Sequence, residues 1–336
     1  YLLTKISMTT YDILVGLNEM DKIESHILDF YAYRKIFIVT DNRIYLHYKA
    51  KIANWFNAFE YELVIIDEGE QSKSYEVYLK TIDTLIQKGM KRGHLLIAFG
   101  GGVVGDLTGF VASTLYRGVP FMQIPTSLLA MVDSSIGGKV GIDLDLGKNL
   151  IGSFYQPKKV VIDPNFLLTL SDEEYHNGMA EMIKAGLIGD PDLYTYFIHH
   201  DRITKAEIIQ AIEVKKQVVL LDPFDLKERM FLNFGHSYGH AIEKKTGYKM
   251  YKHGQAISYG MLIALEIGID FGVTPSYLYD EVKNILLKNK LVKEPLLRKE
   301  DFRDELKYDK KNLADGYHFV LIEDIGKPII KKIKIG

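Results

Sequence analysis

The sequence predicts an N-terminal α/β domain followed by a C-terminal helical domain, with the boundary near residue 163. Two observations carry this. Short β-rich runs alternate with helical stretches up to Asp163-Pro164, the pattern of a mostly parallel sheet covered by helices. Beyond Ser171 the periodicity turns helical and hardly any strand pattern remains before the C-terminus. A third observation bounds the class: 336 residues, 47% hydrophobic and 26% charged, suit a globular chain long enough for two domains.

Taken in order, KIFIVT (Lys35–Thr40) reads as a buried strand and 46–59 as a helix, then ELVIID (Glu62–Asp67) as a second strand. A helix is predicted over 75–88. HLLIAFGGG (His94–Gly102) is a strand running into glycine, VPFMQIPTS (Val119–Ser127) a strand closed by Pro125, and VVID (Val160–Asp163) the last of the series. In the second half, SDEEYHNGMAEMIKAGLI opens with a Ser-x-x-Glu capping box, Ser171 to Glu174. Further helices are predicted over 203–221, 229–245 and 255–271, and YHFVLIED (Tyr317–Asp324) as a short strand.

The formal net charge of −2 argues against a general nucleic-acid binder. There is no cysteine, so disulfides and thiolate metal sites are excluded and a tightly held transition metal must use His, Asp or Glu. No apolar run reaches the ~18 residues of a membrane span, and YLLTKISMTTYDILVG lacks a signal peptide's basic-then-apolar layout. The expectation is a cytoplasmic protein without nucleic-acid or membrane partners.

Three segments carry candidate chemistry. In AFGGGVVGDLTGF (Ala98–Phe110), Gly100, Gly102 and Gly105 fit G-x-G-x-x-G between a strand and a helix. Backbone N–H groups at a helix N-terminus favour a phosphate, and glycine lets it approach. The acid expected about twenty positions on is missing, so a phosphate loop and a tight packing turn both fit. DSSIGGKVGIDLDLGKNLIGSFYQP (Asp133–Pro157) places Lys139, Lys148 and Asn149 among glycines, and flexible backbone with cations and an amide suits a polyanionic ligand; the alternative is a solvated loop. NFGHSYGHAIEKKTGYKMYKHG holds three of the ten histidines, His236, His240 and His253. His236 and His240 are four apart and share a helical face, but Ser237 stands where H-E-x-x-H needs Glu. Metal binding, acid–base work and packing all remain open. Glu181 is a candidate third ligand on a half-buried helix; its alternative is a salt bridge with Lys184. Lys184, Lys215 and Arg229 gather in this half, with Asn233 one turn after Arg229.

Together these motifs resemble one family. GEQSK, GGGVVGDLTGFVAS, RG, IPTSLLAMVDSSIGGKVGID, GKNLIGSFYQP, GMAEMIK, NFGHSYGHAIE and HG are similar to 3-dehydroquinate synthase, in the family's order, over about residues 68 to 254; DKKN near Asp309 also fits. The resemblance implies a Rossmann-like N-terminal domain (1–163) and an all-α C-terminal domain (164–336) that binds metal and substrate. It also implies a homodimer with NAD and a divalent metal, zinc or alternatively cobalt.

The implied reaction converts 3-deoxy-D-arabino-heptulosonate 7-phosphate, a small sugar phosphate, to 3-dehydroquinate and phosphate in the shikimate pathway. It proceeds by transient oxidation, phosphate elimination, reduction, ring opening and aldol closure. The implied metal ligands are Glu181, His236 and His253, with His240 near the phosphate and assisting proton transfer. Lys139, Lys215 and Arg229 would grip the carboxylate. Asn149, Asn233, His240 and Lys310 would surround the phosphate, Arg117 would reach the partner subunit's phosphate site, and Lys184 would hydrogen-bond in the active site. For NAD, Glu70 and Lys73 would meet the adenosine end and Asp41 a ribose. Gly102, Val103, Val104, Gly105 and Asp106 would hold the pyrophosphate and nicotinamide ribose, helped by Thr126, Ser127, Lys139, Lys148, Phe166 and Thr169.

Two departures stand. Ser127 replaces the usual Thr and keeps its hydroxyl. In DPFDLKER (Asp222–Arg229), Pro223 and Lys227 replace a Glu and a Gly of the family's D-E-R-E-x-G-x-R, while Asp225 keeps the acidic slot. Rival readings are another sugar-phosphate cyclase, a metal-dependent alcohol or glycerol dehydrogenase, and a regulatory protein that binds nucleotide or metal without turnover.

Overall fold

A computed structural model describes residues 2–307, 312–313 and 316–334. The chain forms two compact units, Tyr1–Leu170 and Ser171–Gly336. The first contains β1 (Thr4–Ser7), β2 (Asp12–Val15), α1 (Ile23–Leu28), β3 (Lys35–Asp41), α2 (Asn42–Trp55), β4 (Glu60–Ile66), α3 (Tyr75–Gln87), β5 (Leu95–Gly100), α4 (Gly102–Thr114), β6 (Phe121–Pro125), β7 (Lys139–Leu144), β8 (Gly147–Phe154) and β9 (Lys159–Ile162).

Seven strands make one sheet in the order β1-β2-β9-β6-β5-β3-β4. Every neighbouring pair is parallel except β1 and β2. All six residues of β5 are buried, as a strand covered on both faces requires. The chain leaves β3 towards β4 at one edge and returns to β5 on β3's other side, so the strand order reverses between β3 and β5. Ligands of open α/β sheets bind outside the carboxyl ends of strands at such a point. Asp41 ends β3 and the glycine loop ends β5.

The glycine-rich 133–157 segment is not a flexible loop. Residues 139–154 form the antiparallel hairpin β7–β8. Gly141 and Gly152 face each other so closely that a Cβ on Gly141 would lie 2.5 Å from the Ile151 carbonyl oxygen. These glycines let two backbones meet. The short β1–β2 hairpin, which has no clear alternation to betray it, extends the sheet beyond the predicted strands.

The 3-10 segment Pro164–Thr169 belongs to the first unit rather than opening the second. Phe166 inserts among Tyr48, Trp55 and Phe99, and the Thr169 hydroxyl is 2.6 Å from that of Tyr48.

The second unit contains α5 (Asp172–Gly189), α6 (Pro191–His199), α7 (Lys205–Leu221), α8 (His236–Lys245), α9 (His253–Asp270), α10 (Tyr277–Lys288) and α11 (Arg303–Lys307). It is mainly helical, with one addition to the all-α expectation. β10 (Asn312–Leu313), β11 (Gly316–Asp324) and β12 (Lys327–Ile333) form an antiparallel sheet packed on α5 and α9. The helix predicted over 229–245 is broken. A 3-10 turn, Glu228–Asn233, precedes Gly235, which adopts φ 76° before α8 starts. Among the described residues, no helix is long and apolar enough to cross a membrane.

The break serves the packing of α8 on α9. A Cβ on Gly260 would sit 1.9 Å from the Gly235 carbonyl oxygen, and one on Gly239 would sit 3.0 Å from Ile257 Cα. G260A is expected to destabilise the second unit by about 3 kcal/mol, the upper part of the usual overpacking range; chemical denaturation would read this as a lower midpoint.

Candidate metal and cofactor sites

In the second unit, three helices converge on one carboxylate. The Ser171 side chain accepts from the Glu174 N–H and starts α5, whose residues from Tyr175 to Ile188 are almost all buried. Glu181 lies within that stretch at 4% exposure. Its Oε1 is 3.2 Å from His236 Nε2 and 3.1 Å from His253 Nε2. One ligand atom from each of the three residues lies within 4.8 Å of the others. Donors around a tetrahedral zinc ion stand roughly 3.3 Å apart, so an N, N, O set of this spacing fits such an ion, in a chain that has no thiolate to offer.

Each imidazole is oriented through its far nitrogen. His236 Nδ1 is 3.1 Å from the Phe234 carbonyl oxygen, and His253 Nδ1 is 2.9 Å from Glu243 Oε1. Asn177, one turn before Glu181, accepts from the Gly254 N–H at 2.5 Å and seats the start of α9 against α5. Neither Glu243 nor Asn177 was among the sequence candidates. Their spacing offered a signal: Glu243 lies seven after His236 and Asn177 four before Glu181, each on the same helical face. His240 is exposed on α8, its ring centroid 5.4 Å from that of His236.

Lys184 Nζ lies 2.5 Å from Glu181 Oε2 and donates to the Leu232 carbonyl at 2.8 Å. The salt bridge considered as an alternative to ligation is therefore present beside the ligand cluster. Burial would raise Glu181, but the Lys184 ammonium and the two imidazoles outweigh it and hold the carboxyl well below its ordinary value. Burial lowers His236, against the pull of Glu181. Burial also works against a charged His253, yet hydrogen bonds with Glu181 and Glu243 push it up to about 10.

Lys215 on α7 and Arg229 on the 3-10 turn are buried, and Asn233 ends that turn. α7 packs against both α5 and the turn. The atypical 222–229 loop is organised by Asp222, whose carboxylate accepts from the N–H groups of Leu226, Lys227 and Arg229 at 2.8, 2.6 and 3.0 Å. Arg229 Nη1 donates to the Pro223 carbonyl at 2.9 Å. This clamp uses backbone groups, so it tolerates the side-chain changes at Pro223 and Lys227.

In the first unit, the glycines of the β5–α4 loop divide their roles. Gly100 and Gly105 are packing positions, where a Cβ would meet Val104 at 2.7 Å and the Gln123 amide oxygen at 2.6 Å. Gly101 is the α4 N-cap and brings no side chain to the first-turn N–H groups. A helix start of this kind is suited to a phosphate. Val103 and Asp106 are half-buried on the first turns of α4, and Val104 is buried in the core.

Lys73 is buried, with Nζ 2.9 Å from Asp106, 3.8 Å from Glu70 and 3.9 Å from Asp143. Lys148 Nζ lies 4.0 Å from Glu70. Burial raises Asp106 and Glu70, with a hydrogen bond to Asp143 adding to the rise at Glu70. Asp143 also accepts from the Asn149 N–H at 2.7 Å, and its own N–H bonds the Lys73 carbonyl at 2.8 Å. The hairpin is thus clipped to the Glu70–Lys73 segment.

Asn149 is exposed at φ 54°, a left-handed conformation Asn tolerates. Lys139 is exposed at the start of β7. Asp41 caps α2 by accepting from the Ile44 N–H at 2.8 Å. Thr126 is buried, and Ser127 Oγ accepts from the Ala130 N–H at 3.2 Å. The Phe166 side chain belongs to the aromatic core, while Thr169 is exposed at its rim and its carbonyl accepts from Arg43 Nη2 at 2.9 Å. Arg117 follows Tyr116 on a turn where both have positive φ, 63° and 53°. Lys310 lies outside the described residues.

Comparison with known proteins supplies a family. The model described as 3-dehydroquinate synthase N-terminal matches residues 63–177, and the one described as 3-dehydroquinate synthase C-terminal matches residues 178–312. The 3-dehydroquinate synthase of Clostridium botulinum is 38% identical over 345 residues, 99% of this chain and 98% of that protein. That of Clostridium perfringens is 43% identical, covering 81% of this chain and 80% of its own. In fold, the chain is similar to 2-epi-5-epi-valiolone synthase from Streptomyces hygroscopicus with NAD+ and Zn2+ bound. The TM-score is 0.88 at 24% identity, with 99% and 95% of the two chains covered. It is also similar to 2-deoxy-scyllo-inosose synthase complexed with carbaglucose-6-phosphate, NAD+ and Co2+, at TM-score 0.86 and 22% identity, covering 99% and 97%.

The raised His253 sets a pH dependence for protein kept metal-free by a chelator. Its contribution is complete below its unfolded value of about 6.5 and is lost as pH rises towards about 10. Glu181 and His236, both depressed, contribute unchanged above pH 7. The stability of chelated protein is expected to fall by on the order of 1–2 kcal/mol between pH 7 and 10, allowing for solvent screening at the partly exposed ring. Urea midpoints would show the slope, and H253A would flatten it.

Proposed function

The chain belongs to the 3-dehydroquinate synthase family, and we propose that it converts 3-deoxy-D-arabino-heptulosonate 7-phosphate to 3-dehydroquinate and phosphate in the shikimate pathway. The observation that carries the catalytic reading is the Glu181–His236–His253 cluster, set beside buried Lys184 on α5 in a unit that also buries Lys215 and Arg229. On this reading the enzyme is a metal-dependent, phosphate-eliminating lyase that uses NAD catalytically.

Glu181, His236 and His253 would hold a divalent ion, zinc or cobalt. A metal there would supply Lewis acidity, lowering the pKa of a bound substrate hydroxyl and polarising a carbonyl. NAD, held at the α4 N-terminus with Glu70, Lys73 and Asp41 towards its adenosine end, would supply a reversible hydride acceptor. The chain's own residues bind and orient. Arg229 offers a planar fork for the substrate carboxylate and Lys215 a point charge. Lys139 would add a cation from the β7–β8 hairpin. Asn233, His240 and Asn149 would bond phosphate oxygens, with His240 assisting proton transfer. Lys184, already fixed between Glu181 and the Leu232 carbonyl, would present its ammonium to substrate oxygens. Several bond changes on one tethered molecule make orientation the chief demand.

Arg117 would serve the phosphate site of a second copy, so the reading includes a homodimer, acting in the cytoplasm on a small sugar phosphate. A cyclase for an uncarboxylated sugar phosphate is the nearest alternative. The buried pair Lys215 and Arg229 favours a carboxylated substrate.

Phosphate released in large excess over NAD+, with no lasting NADH absorbance, is the expected result of incubation with this substrate and Zn2+. Stoichiometric NADH without phosphate would overturn the reading in favour of a dehydrogenase. R229K, which keeps the charge but loses the fork, is expected to lower kcat/KM by about 10- to 100-fold, the worth of a charged hydrogen bond; steady-state kinetics on phosphate release would test it.

A further inference from the structure

The His253 ring meets a carboxylate at each nitrogen. Nε2 is 3.1 Å from Glu181 Oε1 and faces the ligand cluster, while Nδ1 is 2.9 Å from Glu243 Oε1 on the far side. Glu243 is not one of the three clustered ligands. It lies on α8 seven residues after His236, two turns along the same face. It is 5% exposed. A carboxylate buried to that degree is unfavourable unless it is held by donors or charges, and the His253 ring is one such partner.

The two imidazoles of the cluster are held differently. His236 is oriented by a neutral carbonyl two residues before it in the chain. His253 is the first residue of α9, where little helix precedes it to confine the ring, and its side chain keeps 29% exposure. Its brace comes instead from a charged side chain on a different helix. Because α8 also carries His236, this one helix both supplies a cluster residue and steadies the cluster residue of its neighbour.

We propose that Glu243 is a positioning residue of the metal centre: it holds His253 through Nδ1–H, keeps the Nε2 lone pair aimed at the ion, and adds a negative charge behind the ligand. This rests on the reading of Glu181, His236 and His253 as ligands of a divalent ion. A carboxylate behind a ligating imidazole fixes its tautomer and orientation and makes the ring a stronger donor, and loss of such a partner commonly weakens metal affinity by about 10- to 100-fold. Gln in its place would still accept from Nδ1–H but carry no charge. A purely structural tie between α8 and α9 predicts something else: lower stability with unaltered metal binding.

The test compares full-length wild type, E243A, E243Q and H253A loaded with Co2+. The dissociation constant is measured by competition with a chelator, and the visible ligand-field spectrum is recorded. Chelated samples are melted in parallel to separate folding from binding. The expected result is a 10- to 100-fold weaker Co2+ affinity and an altered spectrum for E243A, with E243Q weakened less and its spectrum closer to wild type. E243A binding Co2+ with wild-type affinity and spectrum would overturn the proposal, whatever its melting temperature. If E243A does not fold, E243Q decides: unchanged affinity overturns the proposal, and weaker affinity supports it. Failure of the metal reading looks different. Wild type would then bind no Co2+, or H253A would bind it as tightly as wild type, and the role of Glu243 would fall with it.

Discussion

The second unit is organised around a carboxylate buried at Glu181. An ionised group in that position is strongly unfavourable without compensation. Compensation comes from Lys184 on the same helix and from two imidazoles on two other helices. The helices that carry those imidazoles, α8 and α9, touch backbone to backbone, and Gly235, Gly239 and Gly260 permit that approach. Gly254, whose N–H reaches Asn177, seats the start of α9 in the same way. The converging donors, two imidazole nitrogens and a carboxylate oxygen, are of the types that a divalent transition-metal ion takes.

In the first unit the corresponding constraint is the reversal of strand order between β3 and β5. It leaves the end of β3, the end of β5 and the start of α4 at one edge of the sheet, where an uncapped helix N-terminus attracts phosphate. Lys73 then links this edge to the β7–β8 hairpin through Asp106 and Asp143. The result is a fixed group of acids and lysines around the loop rather than a set of independent surface charges. The glycines of this loop split between jobs: Gly100 and Gly105, both in the G-x-G-x-x-G pattern, permit close packing, and Gly101, at one of its x positions, leaves the helix end open.

The 222–229 loop is held mainly through its backbone. Its shape rests on Asp222 accepting three backbone N–H groups and on Arg229 reaching the Pro223 carbonyl. Those bonds do not depend on the side chains that differ from the family pattern at Pro223 and Lys227. A loop held through its backbone can change composition while it keeps an arginine in place.

Much was legible in the sequence because it is written locally. Buried strands such as Leu95–Gly100 announce themselves as apolar runs, α5 by its Ser171 cap, and the ligand candidates by rare residue types close together in a cysteine-free chain. The family pattern added the assignment of Glu181, His236 and His253, and the structure brings those three to one point. What escaped depends on contacts between distant segments. The end of the first unit moves past residue 163 because Phe166 finds an aromatic pocket built by α2 and β5. The glycine-rich segment becomes a hairpin because Gly141 and Gly152 can face each other. Glu243 matters because α9 turns His253 towards it. Local periodicity records which face of a segment is buried; which partner buries it is decided only when the chain has folded.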